Sequence, residues 1–435
     1  MTASATSAPP AVPFANAEIV PEAQHAALQA LRSGWLTMGP QTADFERDLA
    51  AYLGARHVVA VSTCTAAIEI AIRALRLPRG AAVLTPSLTF CGAVAPILQA
   101  GLRPVLVDVA ADTLLPTPES VASAVRRAVR PSAGQVAGQR AGRGAGRPQA
   151  MIVQHMGGHP ADVAELAAAA GLPLSRVVED AAHGLGAELR GTLVGGRSHA
   201  ACFSFYATKN LPIGEGGAIA TDDDELAGYA RTMRLHGMSR DGWRRYLPGG
   251  SWRYDVAEPG LKANITDVQA AIGRAQLTYL PAWQRRREWL AGRYDEALSG
   301  VPGLVRPTRP RAGRHAWHLY EVRVTAGFGP SRDGVIDALA AQGIGTSVHF
   351  IPVHQLAGYR DLLGPAECRS VPVTDQVANE LLSLPLYPAL SEMNVDRVAA
   401  ALLALRGRSS PRRSRSKADI QGTGGQGVEL AGHTA

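Results

Sequence analysis

Apolar residues in this chain fall into short continuous runs, separated by longer stretches in which they recur every three or four positions. HVVAVS (57–62) is a strand candidate, and the TAAIEIAIRAL that follows places Ile68, Ala71, Ile72 and Leu75 on one helical face. AAVLTP, a helix and RPVLVDV repeat the unit, and AMIVQHM, a helix through VAELAAAAG and RVVEDAA repeat it again. AACFSFY and GGAIATD lie too close together to need a helix between them. Strands alternating with helices predict an α/β fold with a largely parallel sheet covered on both faces. After about residue 280 the pattern changes. A long basic-faced helix, PAWQRRREWLAGRYDEAL, leads to HLYEVRV, a helix and TSVHFIPV, which predicts a smaller α+β domain. The expected organisation is a large domain over 14–280 and a small one over 281–406.

Two segments stand outside this pattern. Residues 131–149, PSAGQVAGQRAGRGAGRPQ, carry too little apolar surface to bury and read as a surface insert between a helix and a strand. The tail 407–435 reads as disordered for the same reason. These segments also account for the charge. The chain has 435 residues and a net charge of +7, with an isoelectric point near 9.5. Residues 126–147 hold six arginines, residues 406–417 hold five arginines and Lys417, and neither stretch has an acid; without those twelve charges the remainder stands at −5. The folded body is mildly acidic. The basic segments lack the interleaved aromatics of a single-strand nucleic-acid groove, so no nucleic-acid partner is expected. Hydrophobic content of 46% with no long apolar run predicts a soluble protein without membrane spans. The N-terminus MTASATSAPPAVPF lacks a signal-peptide pattern, which points to the cytosol. Cys64, Cys91, Cys202 and Cys368 have no metal-ligand spacing and read as reduced thiols, and no metal is expected.

The candidate chemistry begins with FSFYATKNLPIGEGG (203–217). Of 44 basic residues only three are lysines, Lys209, Lys262 and Lys417. A chain that uses arginine for charge and keeps a lysine between an aromatic run and a glycine-rich turn invites a role for a deprotonatable, nucleophilic amine. In a parallel sheet ligands bind beyond the C-terminal strand ends. After the first strand, Ser62, Thr63, Cys64 and Thr65 open a helix, a natural phosphate site or an ordinary N-cap. After the second comes Phe90, a ring stacker or a core residue. Asp180 ends another strand, placed to pair with a cationic ring nitrogen or to cap the next helix, and His183 follows three residues later. Ser204 adds a hydroxyl beside Lys209. A phosphate cradle, a ring stacker, a carboxylate and an amine together match the needs of pyridoxal 5′-phosphate better than those of other common cofactors. A nicotinamide-binding Rossmann enzyme would need G-x-G-x-x-G where this chain has STCTAA.

Seven segments resemble the DegT/StrS-type sugar aminotransferases: GWLTMGPQTADFE (34–46), TPSLTF (85–90), HMGGHPAD (155–162), VVEDAAHGLGA (177–187), the lysine segment to Thr221, NITDVQAAIGRAQL (264–277), and SVHFIPVH (347–354) with SLPLYP (383–388). The match runs in order over roughly 14–405, interrupted by the insert. The resemblance implies a pyridoxal-phosphate-dependent transferase of fold type I, a mostly parallel mixed sheet sandwiched by helices with a smaller α+β domain. It implies that Lys209 forms the Schiff base and Asp180 keeps the pyridine nitrogen protonated. His183 would sit beside the cofactor and Phe90 would stack on its ring. Ser204 with the Cys64 and Thr65 backbone would hold the phosphate, and Asn264 would complete the phosphate site from a second subunit, which makes an obligate homodimer with shared active sites. Trp35, Arg253, Lys262, His349 and His354 are candidate substrate contacts.

The chain departs from the family pattern twice. Thr63-Cys64-Thr65 stands where the family commonly has Ser-Gly-Thr, and Ser198-His199 where it tends to have Gly-Asp. Cysteine is small, so phosphate binding is expected to survive the first change. The reaction implied is amino transfer from L-glutamate, or glutamine, to a nucleotide-activated keto-deoxysugar, with Lys209 moving the proton at the donor's α-carbon. A keto-cyclitol acceptor is the alternative. A sugar dehydratase is disfavoured because those relatives replace the lysine with histidine, and a non-catalytic cofactor-binding regulator is disfavoured by the complete cofactor set.

Overall fold

A computed structural model of the chain describes residues 10–129, 146–238 and 255–406. Arg253, most of the Gly/Arg insert and the tail 407–435 lie outside the described residues. The apolar runs become β1 (His57–Val61), β2 (Ala82–Pro86), β3 (Arg103–Val107), β4 (Ala150–Gln154) and β5 (Val177–Asp180). A short turn of two strands, β6 (Glu188–Leu189) and β7 (Thr192–Leu193), precedes β8 (Ala201–Ser204) and β9 (Gly217–Thr221). The large sheet has the order β1-β9-β8-β5-β4-β2-β3. β3, β2, β4, β5 and β8 run parallel, while β9 is antiparallel to both β8 and β1. Residues 205–216 carry no helix to make a parallel crossover, and β9 returns antiparallel. Lys209 sits on that return.

Successive residues of a strand face opposite sides of the sheet, and here both sides are buried. Val59, Val61, Val83, Ile152, Val178, Cys202 and Ile219 pack with Ile68 and Ile72 of the helix Cys64–Ala74 and with Leu75 at its C-terminal end. The intervening residues face the other way, Val58, Ala60, Ala201 and Phe203 against Phe45 and Leu49 of the helix Pro40–Leu53. Leu84, Val105, Met151 and Val153 continue that face against Val121 and Leu166. With both faces covered, a strand needs no polar side, and this is why the runs read as continuously apolar.

The C-terminal portion builds a second sheet from β10 (Leu304–Val305), β12 (Tyr320–Val324) and β13 (Leu381–Leu384), all antiparallel, while β11 (Gly313–Arg314) pairs with β6. Its core joins Tyr294, Trp317, Tyr320, Val335 and Leu402. One expectation fails here. TSVHFIPV forms no strand and makes a single bridge, Ser347 with Ser383. Pro352 has no N–H to give a ladder, and LLSL occupies the edge beside β12 instead. The helix Leu280–Ala297 is also less exposed than its basic pattern implies. Arg287 is buried and donates Nη1 to the carbonyls of Trp317 (3.1 Å) and Leu386 (2.9 Å).

Two buried or half-buried carboxylates hold distant helix starts in place. Asp108 accepts from the N–H of Val373 (3.0 Å) and from the N–H and Oγ1 of Thr374 (2.7 Å each), fixing the helix Pro372–Glu380 against the end of β3. Asp267 accepts from the N–H groups of Gly39 (2.7 Å), Gln41 (3.1 Å) and Thr42 (3.0 Å), and from Thr42 Oγ1 (2.8 Å). That carboxylate ties the helix Asp267–Leu277 to the start of Pro40–Leu53.

Candidate active site

Strands β1, β5 and β8 end on one side of the sheet, and their ends border a cavity of about 500 Å³. Thr63, Cys64, Thr65, Phe90, Asp180, His183, Ser204, Lys209 and His349 all line it. Thr63 caps the helix Cys64–Ala74, its Oγ1 accepting from Ala66 N–H at 3.0 Å. The first N–H groups of any helix have no intrahelical acceptor, and here they belong to Cys64 and Thr65 at the cavity wall. The Cys64 thiol contacts the Cys202 carbonyl at 3.2 Å. Burial, then the neighbouring Asp180 and Cys202, push that thiol well up, so it is an inert packing group.

Asp180, the last residue of β5, is 4% exposed and accepts from Ala182 N–H at 3.1 Å. Burial raises its carboxyl, opposed by the Ala182 N–H, Lys209 and His155. Lys209 lies half-buried across the cavity, and burial lowers its amine to about 8 against the influence of Asp180 and Cys64. Two groups of opposite charge are thus both pushed toward neutrality by the same apolar setting. His183 accepts from Gly157 N–H through Nδ1 at 3.2 Å. Burial, then Lys209 and His349, hold it well below the usual histidine range, so it is a neutral ring with its proton on Nε2. Phe90, at a helix start, is 58% exposed and borders the cavity, where an aromatic can stack on a planar ligand. Ser204 Oγ accepts only a long bond from Tyr206 N–H, 3.4 Å.

The remaining expected residues divide. His349 lines the cavity, with Nδ1 on Ser383 Oγ at 2.8 Å. His354 does not. It is buried, with Nδ1 on Ser87 Oγ at 2.7 Å and Nε2 on Asp375 at 2.8 Å, so both ring nitrogens are committed to the fold. Trp35 is also away from the cavity, its indole N–H directed to the Met38 carbonyl at 3.4 Å. Lys262 and Asn264 bond each other and do not reach the cavity of their own chain. His318 and Asn210, which no motif in the sequence marks, also belong to the site. His318 Nε2 lies 3.4 Å from Lys209 Nζ, and its Nδ1 lies 3.3 Å from Asn210 Oδ1. The available signal was HAWHL ahead of an apolar strand, and an amide directly after the lysine.

An amine with a depressed pKa, a buried carboxylate, an open aromatic face, a free hydroxyl and a helix N-terminus on one cavity wall fit an aldehyde-bearing, phosphorylated, pyridine-type ring. The DegT/DnrJ/EryC1/StrS aminotransferase family model matches residues 17–403. The chain belongs to that family. It is 40% identical over 376 residues to the Bacillus subtilis spore coat polysaccharide biosynthesis protein SpsC, covering 86% of this chain and 92% of SpsC. Among solved structures, S. venezuelae DesV in complex with a ketimine intermediate aligns with a TM-score of 0.78 at 32% identity, over 92% of this chain and 100% of DesV. The sugar aminotransferase CalS13 from Micromonospora echinospora aligns with a TM-score of 0.76 at 28% identity, over 90% and 99%. The protein is therefore a pyridoxal-phosphate-dependent aminotransferase with the fold type I sheet of that family. Among the described residues no helix is long and apolar enough to cross a membrane.

Proposed function

We propose that this aminotransferase moves an amino group from L-glutamate to a nucleotide-activated keto-deoxysugar. The observation that carries the reading is the convergence of Lys209 and Asp180, 29 positions apart in sequence, on one cavity that the helix start at Cys64–Thr65 and Ser204 also border. Pyridoxal 5′-phosphate supplies there a carbonyl that takes the amino group and a ring that accepts electrons from the donor's α-carbon. Asp180 holds the proton of the ring nitrogen, and Phe90 and His183 confine the ring. Ser204 and the N–H groups of Cys64 and Thr65 hold the phosphate. Lys209 would hold the cofactor through Nζ, and as a neutral amine it would remove the proton from the donor's α-carbon and return one to the acceptor. His349 contacts substrate at the mouth. The sugar acceptor is supported by relatives named for sugar amination and for polysaccharide biosynthesis.

The working unit proposed is a homodimer over a large domain of 14–280 and a small domain of 281–406. Asn264 and Lys262 stand apart from their own cavity, as residues lent to a partner's phosphate site would. The test is amination of a panel of nucleotide-linked 3-keto and 4-keto sugars beside keto-cyclitols, read by mass spectrometry with glutamate as donor. Amination of a nucleotide sugar, abolished in Lys209→Ala together with the visible cofactor band, is expected. Amination of cyclitols alone would move the acceptor to the carbocyclic class.

A further inference from the structure

Among the described residues His318 is the side chain within hydrogen-bonding distance of the Lys209 amine, and the surroundings of His318 determine what it presents. Asn210 donates through Nδ2 to two buried carbonyls, Ala316 at 2.9 Å and Leu185 at 3.3 Å. Those acceptors fix the amide's orientation, because flipping it would set Oδ1 against two carbonyl oxygens. Oδ1 therefore faces His318 Nδ1 at 3.3 Å and can only accept, so Nδ1 carries the ring proton. Nε2 is left with its lone pair, 3.4 Å from Lys209 Nζ.

We infer that Asn210 clamps His318 in the Nδ1-protonated tautomer, and that His318 Nε2 holds the released Lys209 amine by accepting one of its N–H bonds. The inference rests on the proposed role of Lys209. His318 touches the reacting nitrogen, while Asn210 is a positioning residue acting through it. Accepting an N–H turns the amine's lone pair away from His318, and no proton leaves either group, so His318 stays neutral throughout. Neutrality is secured from every side. The ring is 6% exposed, its centroid lies 4.4 Å from that of His183, and the charged and titratable groups about it are Lys209, His183, Arg287 and His349. Burial first, then each of these, holds it well below the ordinary histidine range. The amine itself also faces Asp180 and Cys64. A proton on Nε2 would instead be donated into the amine's lone pair, so without the clamp the commoner tautomer would occupy the electron pair with which the amine acts.

The experiment uses the full chain freed of cofactor, then the loaded enzyme. With only three lysines in the sequence, [ε-13C]lysine labelling gives three resonances to titrate, Lys209 being the one lost in Lys209→Arg. Labelled histidine, read by magic-angle-spinning NMR, reports which His318 nitrogen is protonated. Expected are an Nδ1-protonated His318 in the wild type and an Nε2-protonated ring in Asn210→Leu. The Lys209 midpoint is expected to fall by about one pH unit in His318→Phe, which removes the acceptor, and to recover in His318→Gln, which restores one. In the loaded enzyme His318→Phe should lower kcat about 100-fold and leave KM for the amino donor within about twofold. Should the phenylalanine variant not accumulate, Asn210→Leu and His318→Gln carry the comparison. An Nε2-protonated ring in the wild type, a Lys209 midpoint indifferent to His318, or wild-type turnover in His318→Phe would each overturn the inference. Failure of the sugar-amination reading would instead leave the cofactor-free titrations intact.

Discussion

Lys209 allows the burial argument to be tested by number. Burial takes its amine from the ordinary 10.5 to about 8, although Asp180 and Cys64 pull the other way. At pH 7 roughly one such amine in ten is neutral, against about three in ten thousand for a free lysine, a gain of about 300-fold in the form that can attack a carbonyl. The perturbation is pH itself. Chain freed of cofactor is mixed with pyridoxal 5′-phosphate, and growth of the visible band is timed from about pH 6 to about 9.5. The rate for Nα-acetyl-lysine amide, measured in parallel, divides out the cofactor's own titration. The protein's rate should climb about tenfold per pH unit to about 8 and then level, while the free amine continues to climb. Asp180→Asn removes the anion that raises the amine, so levelling should begin below 8. Folding carries the same signature. Below pH 8 both folded and unfolded amines are protonated, and the folded chain bears a penalty of about 3 kcal/mol. Between pH 8 and 10.5 the unfolded chain holds more protons, so this group's contribution to stability rises with pH over that window. A capture rate that climbs past pH 9.5 in step with the free amine would refute the reasoning.

Two further outcomes are expected. Asp267→Ala removes the acceptor of two fully buried N–H groups and a buried hydroxyl, and should cost about 3 kcal/mol in urea unfolding, with Asp267→Asn costing less than half of that; equal midpoints for alanine and wild type would show that the loop does not depend on this carboxylate. Mixing inactive Lys209→Ala chains with Asn264→Ala chains should restore activity, through hybrids in which one site keeps both residues, and scaling of that activity with the hybrid fraction checks it; inactive mixtures that nonetheless form hybrid dimers would place Asn264 outside the partner's site.

Much of the site was legible because strand ends are legible. A buried strand in a covered sheet is apolar along most of its length, so the polar residues that close the run mark the edge of the sheet where ligands collect. Asp180 after VVE and Thr63 after VVAVS were found in that way, and both border the cavity. Lys209 was found by composition, as a rare residue in an arginine-rich chain. The misses share a different cause. His318 meets Lys209 across 109 positions, and Asp267 meets Gly39 across 228, joining segments that no local pattern relates. The strand expected in TSVHFIPV failed because the edge beside β12 was open to competition, and LLSL, free of proline, took it.

His349 and His354 show where motif reasoning stops. They stand five positions apart in one segment, VHFIPVH, and nothing in their neighbours ranks one above the other as a substrate contact. The fold separates them by what it supplies. Ser87 and Asp375 take both nitrogens of His354, and its remaining work is to join the sheet to the helix Pro372–Glu380. Ser383 takes one nitrogen of His349, whose ring lines the cavity. Burial, then Lys209, lowers His349 to about 4, so its ring is neutral at any pH where the Lys209 amine is. A histidine is available to a ligand only where the fold has not already satisfied both of its nitrogens, and partners that far along the chain are set by tertiary structure alone.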